Sequence, residues 1–235
     1  MTHGTAGLLL LADGRLPAGG YAHSGGLEAA VRTGRVRDTA DLGRFLTGRA
    51  TTTGATNAAF AAAACAALRG AGADAEPGEE QQTLTRLAVL DTELDARTPS
   101  PALRRVSHAL GRQLLRALKA VNPHPLQQRM QQGPNHPVAF GAGAAMLGLT
   151  PVDAARGVLH ESVSGPSSAV VKLMSADPFD AYRTIAELRG LLDEIAEDAA
   201  GRALDHPEDL PSYGAPLSDH LAEDHETHET RLFAS

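Results

Sequence analysis

Ten histidines in a chain of 235 residues make metal chemistry the first possibility to weigh. The densest group lies near the end, where His220, His225 and His228 are interleaved with Asp219, Glu226 and Glu229. Imidazole and carboxylate donors together suit zinc or nickel. The spacing is not that of a metalloprotease helix, which places its two histidines at i and i+4; His228 follows His225 at i+3. A solvated acidic tail is the plainer reading of the same residues. His23, His108, His136 and His160 fall one to an element, so only the fold can gather them. If it does, the chain is a helical metal-dependent enzyme built on clustered histidines, with tightly held metal and turnover of its own.

Other catalytic patterns are missing. Cys65, the single cysteine, excludes an internal disulfide and a multi-cysteine zinc site. Set among alanines, it reads as a small buried apolar residue. The only lysines, Lys119 and Lys172, do not follow the glycines of a phosphate loop. Neither a Gly-x-Ser-x-Gly elbow nor a Gly-x-Gly-x-x-Gly turn occurs. Positive evidence for catalysis is thin.

The net charge of −7 is unevenly spread. Residues 205–235 hold eight acids and one base, Arg231, so the body is neutral. Residues 97–129 carry seven bases and no acid. No aromatic platform lies between those bases, which argues against nucleic acid. No apolar run reaches the ~20 residues of a membrane span, and Leu8–Leu11 is too short and lacks the basic flank of a signal peptide. A soluble, cytoplasmic protein is expected.

The elements that must position these residues are helices. Alanine, the best helix former, dominates the apolar set, aromatics make up 3% and tryptophan is absent. The expectation is an all-α fold: a single helical-bundle domain of about eight to ten helices over residues 1–204. A flexible acidic C-terminal tail, a partner-binding segment, then covers 205–235. Start signals stand at Thr39-Ala40-Asp41, at Asn135-His136-Pro137, at Thr150-Pro151-Val152-Asp153 and at Asp177-Pro178. The helix from Thr150 is expected to end near Val163, ahead of Gly165-Pro166, and Gly54 to interrupt the helix that carries Leu42, Phe45, Leu46 and Arg49. Over Pro101–Val121, helical spacing puts Leu103, Val106, Leu110, Leu114, Ala117 and Val121 on one face. Arg105, Arg112, Arg116 and Lys119 fall opposite, with no acid at i+4 to relieve them. A solvated face is the plainer reading of such a stripe; the alternative is an acidic surface to meet, either the chain's own tail or a partner.

The most distinctive stretch is Leu16-Pro17-Ala18-Gly19-Gly20-Tyr21-Ala22-His23-Ser24-Gly25-Gly26-Leu27-Glu28. Its glycines and proline demand a sharp turn open to close approach, and Ser24 can cap the helix that follows. The string resembles the N-terminal signature of the urease accessory protein UreF family. Glu93–Leu115, His136-Pro137-Val138-Ala139-Phe140-Gly141, Ser162–Met174 and Arg231-Leu232-Phe233-Ala234-Ser235 are similar to later motifs of that family. Ser175-Ala176-Asp177-Pro178 departs from its pattern. The resemblance implies an all-helical homodimer without chemistry or a resident cofactor of its own. It implies a chaperone that joins the UreD/UreH protein and the GTPase UreG on urease apoprotein, regulates GTP use and helps nickel pass to the enzyme. Carried over onto this chain, the partner-binding residues are Tyr21, His23, Ser24, Glu28, Lys172, Arg231, Leu232 and Phe233. Residues 231–233 are expected to anchor UreD/UreH, and the surface near Tyr21, His23 and Lys172 to meet the GTPase.

Overall fold

The computed structural model describes residues 4–20, 23–70, 77–130, 133–226 and 232–233. Their regular elements are all helical, and they build around the alanine run. In α4 (Ala55–Gly70) every side chain from Ala58 to Cys65 is fully buried. Small side chains let neighbouring axes approach, and α8 (His136–Met146) uses this most fully. A methyl group on Gly141 would stand 2.1 Å from the Ala61 carbonyl oxygen, so only glycine fits there. The C-terminal part of α5 (Pro77–Ala96), α9 (Pro151–Met174) and α11 (Arg189–Gly201) pack on the other flanks of α4, and α6 (Pro101–Val121) packs on α8.

A smaller apolar cluster joins α2 (Leu27–Arg32), α3 (Thr39–Arg49), the C-terminal half of α9, α10 (Pro178–Glu187) and Leu221 of α12 (Pro216–Glu226). Two short helices, α1 (Gly4–Leu11) and α7 (Pro125–Arg129), complete the described elements. Side chains cap several helix starts, but not the one at Asn135, whose amide donates to Asp91 and Asp95 instead. Asp38 accepts from Asp41 N, Ser100 from Leu103 N and Asp177 from Phe179 N, and Thr150 and Asp153 cap each other's backbone N–H. Each satisfies a donor left open at a helix start.

The structure departs from the sequence expectations in four places. Helix α9 runs through Pro166 to Met174 instead of ending near Val163. Pro166 has no N–H for Ser162 O, and Arg49 Nε–H donates to that carbonyl from 3.0 Å instead. At Gly54 the chain does not break: α3 passes into a π-turn, Ala50–Gly54, and on into α4. On α6 the buried face is Ala102, Gly111, Leu114, Leu115, Ala117 and Leu118, while Leu103, Val106 and Leu110 are half-buried and Val121 is exposed.

The fourth departure concerns the acidic tail. Residues 207–209 form a 3-10 turn, and α12 lies on the body against α6 and α2 with Leu221, Ala222 and His225 buried. Composition alone suggests too little apolar surface to hold this segment. Part of the missing free energy comes from the basic helix, whose N-terminus meets Glu223 and whose Arg105 meets Glu226. Among the described residues, no helix is long and apolar enough to cross a membrane.

Candidate partner-binding site

The signature turn sets the site. Gly25 and Gly26 adopt φ of +60° and +87°, a backbone that favours glycine, and they deliver Leu27 into the core and Glu28 into the first turn of α2. Ser24, 1% exposed, accepts from the Glu28 backbone N at 3.3 Å. The N-cap of α2 is Gly26 and not Ser24, which takes the Glu28 N–H from two residues before the cap.

Glu28 then holds the end of the chain. Its two carboxylate oxygens accept the backbone N–H groups of Leu232 at 2.9 Å and Phe233 at 3.0 Å. His225 Nε2–H donates to the Phe233 carbonyl at 3.3 Å and lies 3.8 Å from the Glu28 carboxylate. The Phe233 ring sits under Lys172, with Nζ 5.7 Å from its centroid, a cation–π distance. Leu232 remains 71% exposed.

Helix α12 is pinned beside this latch. Glu223 accepts from the Ala102 backbone N at 2.9 Å and from the Ser100 hydroxyl, both at the start of α6. These bonds, Ser100 first, hold its carboxyl below the ordinary range, as expected at the positive end of a helix. Arg105 pairs with Glu226, and Arg32 with Asp224 at 3.2 Å. The tail therefore takes up one arginine of the basic stripe. Among the described residues no acid pairs with Arg112, Arg116 or Lys119, and all three are exposed.

Of the eight expected site residues, Glu28, Lys172, Leu232 and Phe233 are brought into one patch. His23 and Ser24 line a cavity beside it, closed on one side by α12. Tyr21 and Arg231 lie outside the described residues.

The described histidines do not assemble as a metal centre. Among the described residues no three His, Cys, Asp or Glu side chains group to hold an ion; His228 and Glu229 lie outside them. His225 instead faces Glu28 and Phe233. His108 bridges Gly133 O at 2.7 Å and Asp95 at 3.0 Å; burial opposes its charge, but these bonds and Asp91 leave its pKa raised. His136 Nε2 lies 3.5 Å from the Glu161 carboxylate. Burial, with His23 nearby, pulls His136 down to about 4. Burial also pushes Glu161 up to about 8, with 33% of its side chain still reached by solvent. Burial thus disfavours the charged form of both partners. Cys65 is buried, its thiol pushed to about 12, far from a nucleophile.

Sequence reading missed two residues that hold the site together. Arg49 donates Nη1–H to Gly25 O and Nε–H to Ser162 O, both at 3.0 Å, tying the signature turn to α9. Its signal was present: an arginine at helical spacing on an apolar stripe. His225 was weighed as a ligand or as part of a solvated tail, and it is a buried anchor.

A family model described as UreF matches residues 36–189. The chain is 40% identical over 228 residues to the urease accessory protein UreF of Mycobacterium sp. (strain JLS), covering 97% of each. It is 37% identical over 230 residues to that of Mycolicibacterium vanbaalenii, covering 98% of each. To that of Mycobacterium tuberculosis H37Rv it is 34% identical over 230 residues, covering 97% of each.

Proposed function

The chain belongs to the urease accessory protein UreF family, and from that premise we propose that it bridges the UreD/UreH protein and the GTPase UreG on apo-urease. In this role it regulates GTP-dependent nickel delivery. It works as a cytoplasmic homodimer without catalysis of its own, and nickel is cargo of the assembly, not a resident cofactor.

The observation that carries the reading is the convergence of Glu28, Lys172, Leu232 and Phe233, which are drawn from three distant stretches of the chain. A residue set scattered in sequence and gathered at one surface is what a docking site needs. Leu232 is the exposed apolar anchor for UreD/UreH, and the segment 205–235 is the partner-binding element. The side near His23 and Lys172 receives the GTPase. Arg112, Arg116 and Lys119 offer a second, positively charged contact on α6.

The test removes residues 230–235 and follows co-elution with UreD/UreH. Loss of the complex with an unchanged helical circular dichroism spectrum is the expected result; unchanged co-elution refutes the assignment. Charge reversal of Lys172 is expected to weaken GTPase recruitment, and full recruitment by that variant refutes the second surface.

A further inference from the structure

Between the signature turn, the start of α8, the middle of α6 and the inner face of α12 lies a cavity of about 200 Å³. That is room for a ligand of several heavy atoms, not one water. Among its described lining residues Arg49 alone carries a fixed charge, and none is acidic. A guanidinium stays protonated in proteins, and two of the five N–H groups of Arg49 are used, on Ser162 O and Gly25 O. Among the described residues no carboxylate pairs with it. A partly buried cation without a counter-charge is costly.

A second polar group at the same cavity lacks a partner. His225 is 3% exposed, and its Nδ1 makes no hydrogen bond. With Nε2–H committed to Phe233 O, Nδ1 is the one polar atom of its ring left open at this cavity. Leu94, Leu103, Val106, Leu110 and Leu221 line the same cavity with apolar side chains. Three of these belong to the stripe on α6 that the core leaves half-buried.

From this geometry we infer a binding site for a small monovalent carboxylate on a short aliphatic stem, its head at Arg49 and its stem along α6. The planar guanidinium fork matches a carboxylate. One positive charge balances one negative charge, so a dianion would leave charge unpaired among leucines. Because Ser218, Leu221, Ala222 and His225 form one wall, the bound ligand also holds α12 on the body. This inference stands on the cavity alone and does not depend on the assembly role.

The experiment titrates the full chain with butyrate by isothermal calorimetry, with 1-butanol and sulfate as controls, and follows amide hydrogen exchange over 216–226. Saturable one-to-one butyrate binding is expected, at least tenfold tighter than either control, with slower exchange in α12. Arg49→Gln should weaken binding at least tenfold. Because Arg49 also supports the fold, Val106→Phe provides a second arm, filling the cavity while leaving the cation in place, and it too should abolish binding. No saturable binding by the unaltered chain, butanol or sulfate binding as well as butyrate, or full affinity in Val106→Phe would each overturn the inference.

Discussion

Arg49 donates its Nε–H to the carbonyl of Ser162, 3.0 Å away, the acceptor that Pro166 cannot serve from four residues along α9. A proline that should end a helix is thereby kept inside one by a side chain from another element. The same guanidinium reaches Gly25 O, so the signature turn and the proline are fixed by one residue.

Removing that donor should leave a buried carbonyl unsatisfied, at a cost of about 1–3 kcal/mol. Arg49→Met is expected to lower stability by that order. In the background of Pro166→Ala, which restores the helical N–H, the loss should shrink by at least ~0.5 kcal/mol. Urea denaturation of the four chains measures this coupling, and strict additivity would contradict the account of α9.

The α4–α8 contact makes a sharper demand. A β-carbon at Gly141 would lie 2.1 Å from Ala61 O and 2.9 Å from Ala64 Cβ, and backbone cannot swing aside as a flexible side chain can. Gly141→Ala is expected to destabilise by at least about 2 kcal/mol through overpacking, read from the urea midpoint.

The half-buried His136–Glu161 pair predicts a pH dependence. Glu161 holds its proton to about 8 in the fold against 4.5 ordinarily; His136 stays neutral down to about 4 against 6.5 ordinarily. The raised carboxyl contributes stability that is full below pH 4.5 and lost as pH rises to 8. The depressed imidazole contributes stability that is full above pH 6.5 and lost as pH falls to 4. The two slopes oppose between pH 4.5 and 6.5, so the pair's contribution declines only from 6.5 to 8. Glu161→Gln should lessen the fall in urea midpoint between pH 6.5 and 8 relative to the unaltered chain. An identical fall in both would contradict the burial assigned to Glu161.

Much of the fold was legible because its signals are local. Alanine content, capping residues and the smooth helix around Gly141 all report on neighbours a few residues away. The signature turn was legible for the same reason, since Gly25 and Gly26 mark a backbone that few other residues adopt. What sequence could not supply were satisfactions across the chain. Pro166 reads as a helix end until Arg49 is seen to take its acceptor. The tail from Asp205 reads as unfolded because composition counts its acids as solvated, whereas Glu223 sits on the α6 N-terminus and Glu226 on Arg105. For His225, proximity in sequence to His220 suggested a ligand; its neighbours in space are Glu28 and Phe233.

Glu28 makes the latch testable without partners. Replacing it by Ala removes the acceptor of two backbone N–H groups, and charge-assisted bonds of this kind are worth roughly 1.5–3 kcal/mol each. Amide exchange at Leu232 and Phe233 should rise at least about tenfold, with α4 protection unchanged. Equal protection of both amides would show that Glu28 does not hold them.

The central claim is that this chain matures urease by assembling other proteins. Its most direct measurement is the nickel content of urease purified after co-expression with UreD/UreH and UreG, with and without this chain. The account predicts nickel-poor, inactive urease in its absence and recovery when the chain is restored but not when residues 230–235 are missing. Equal nickel occupancy in all three preparations would contradict it.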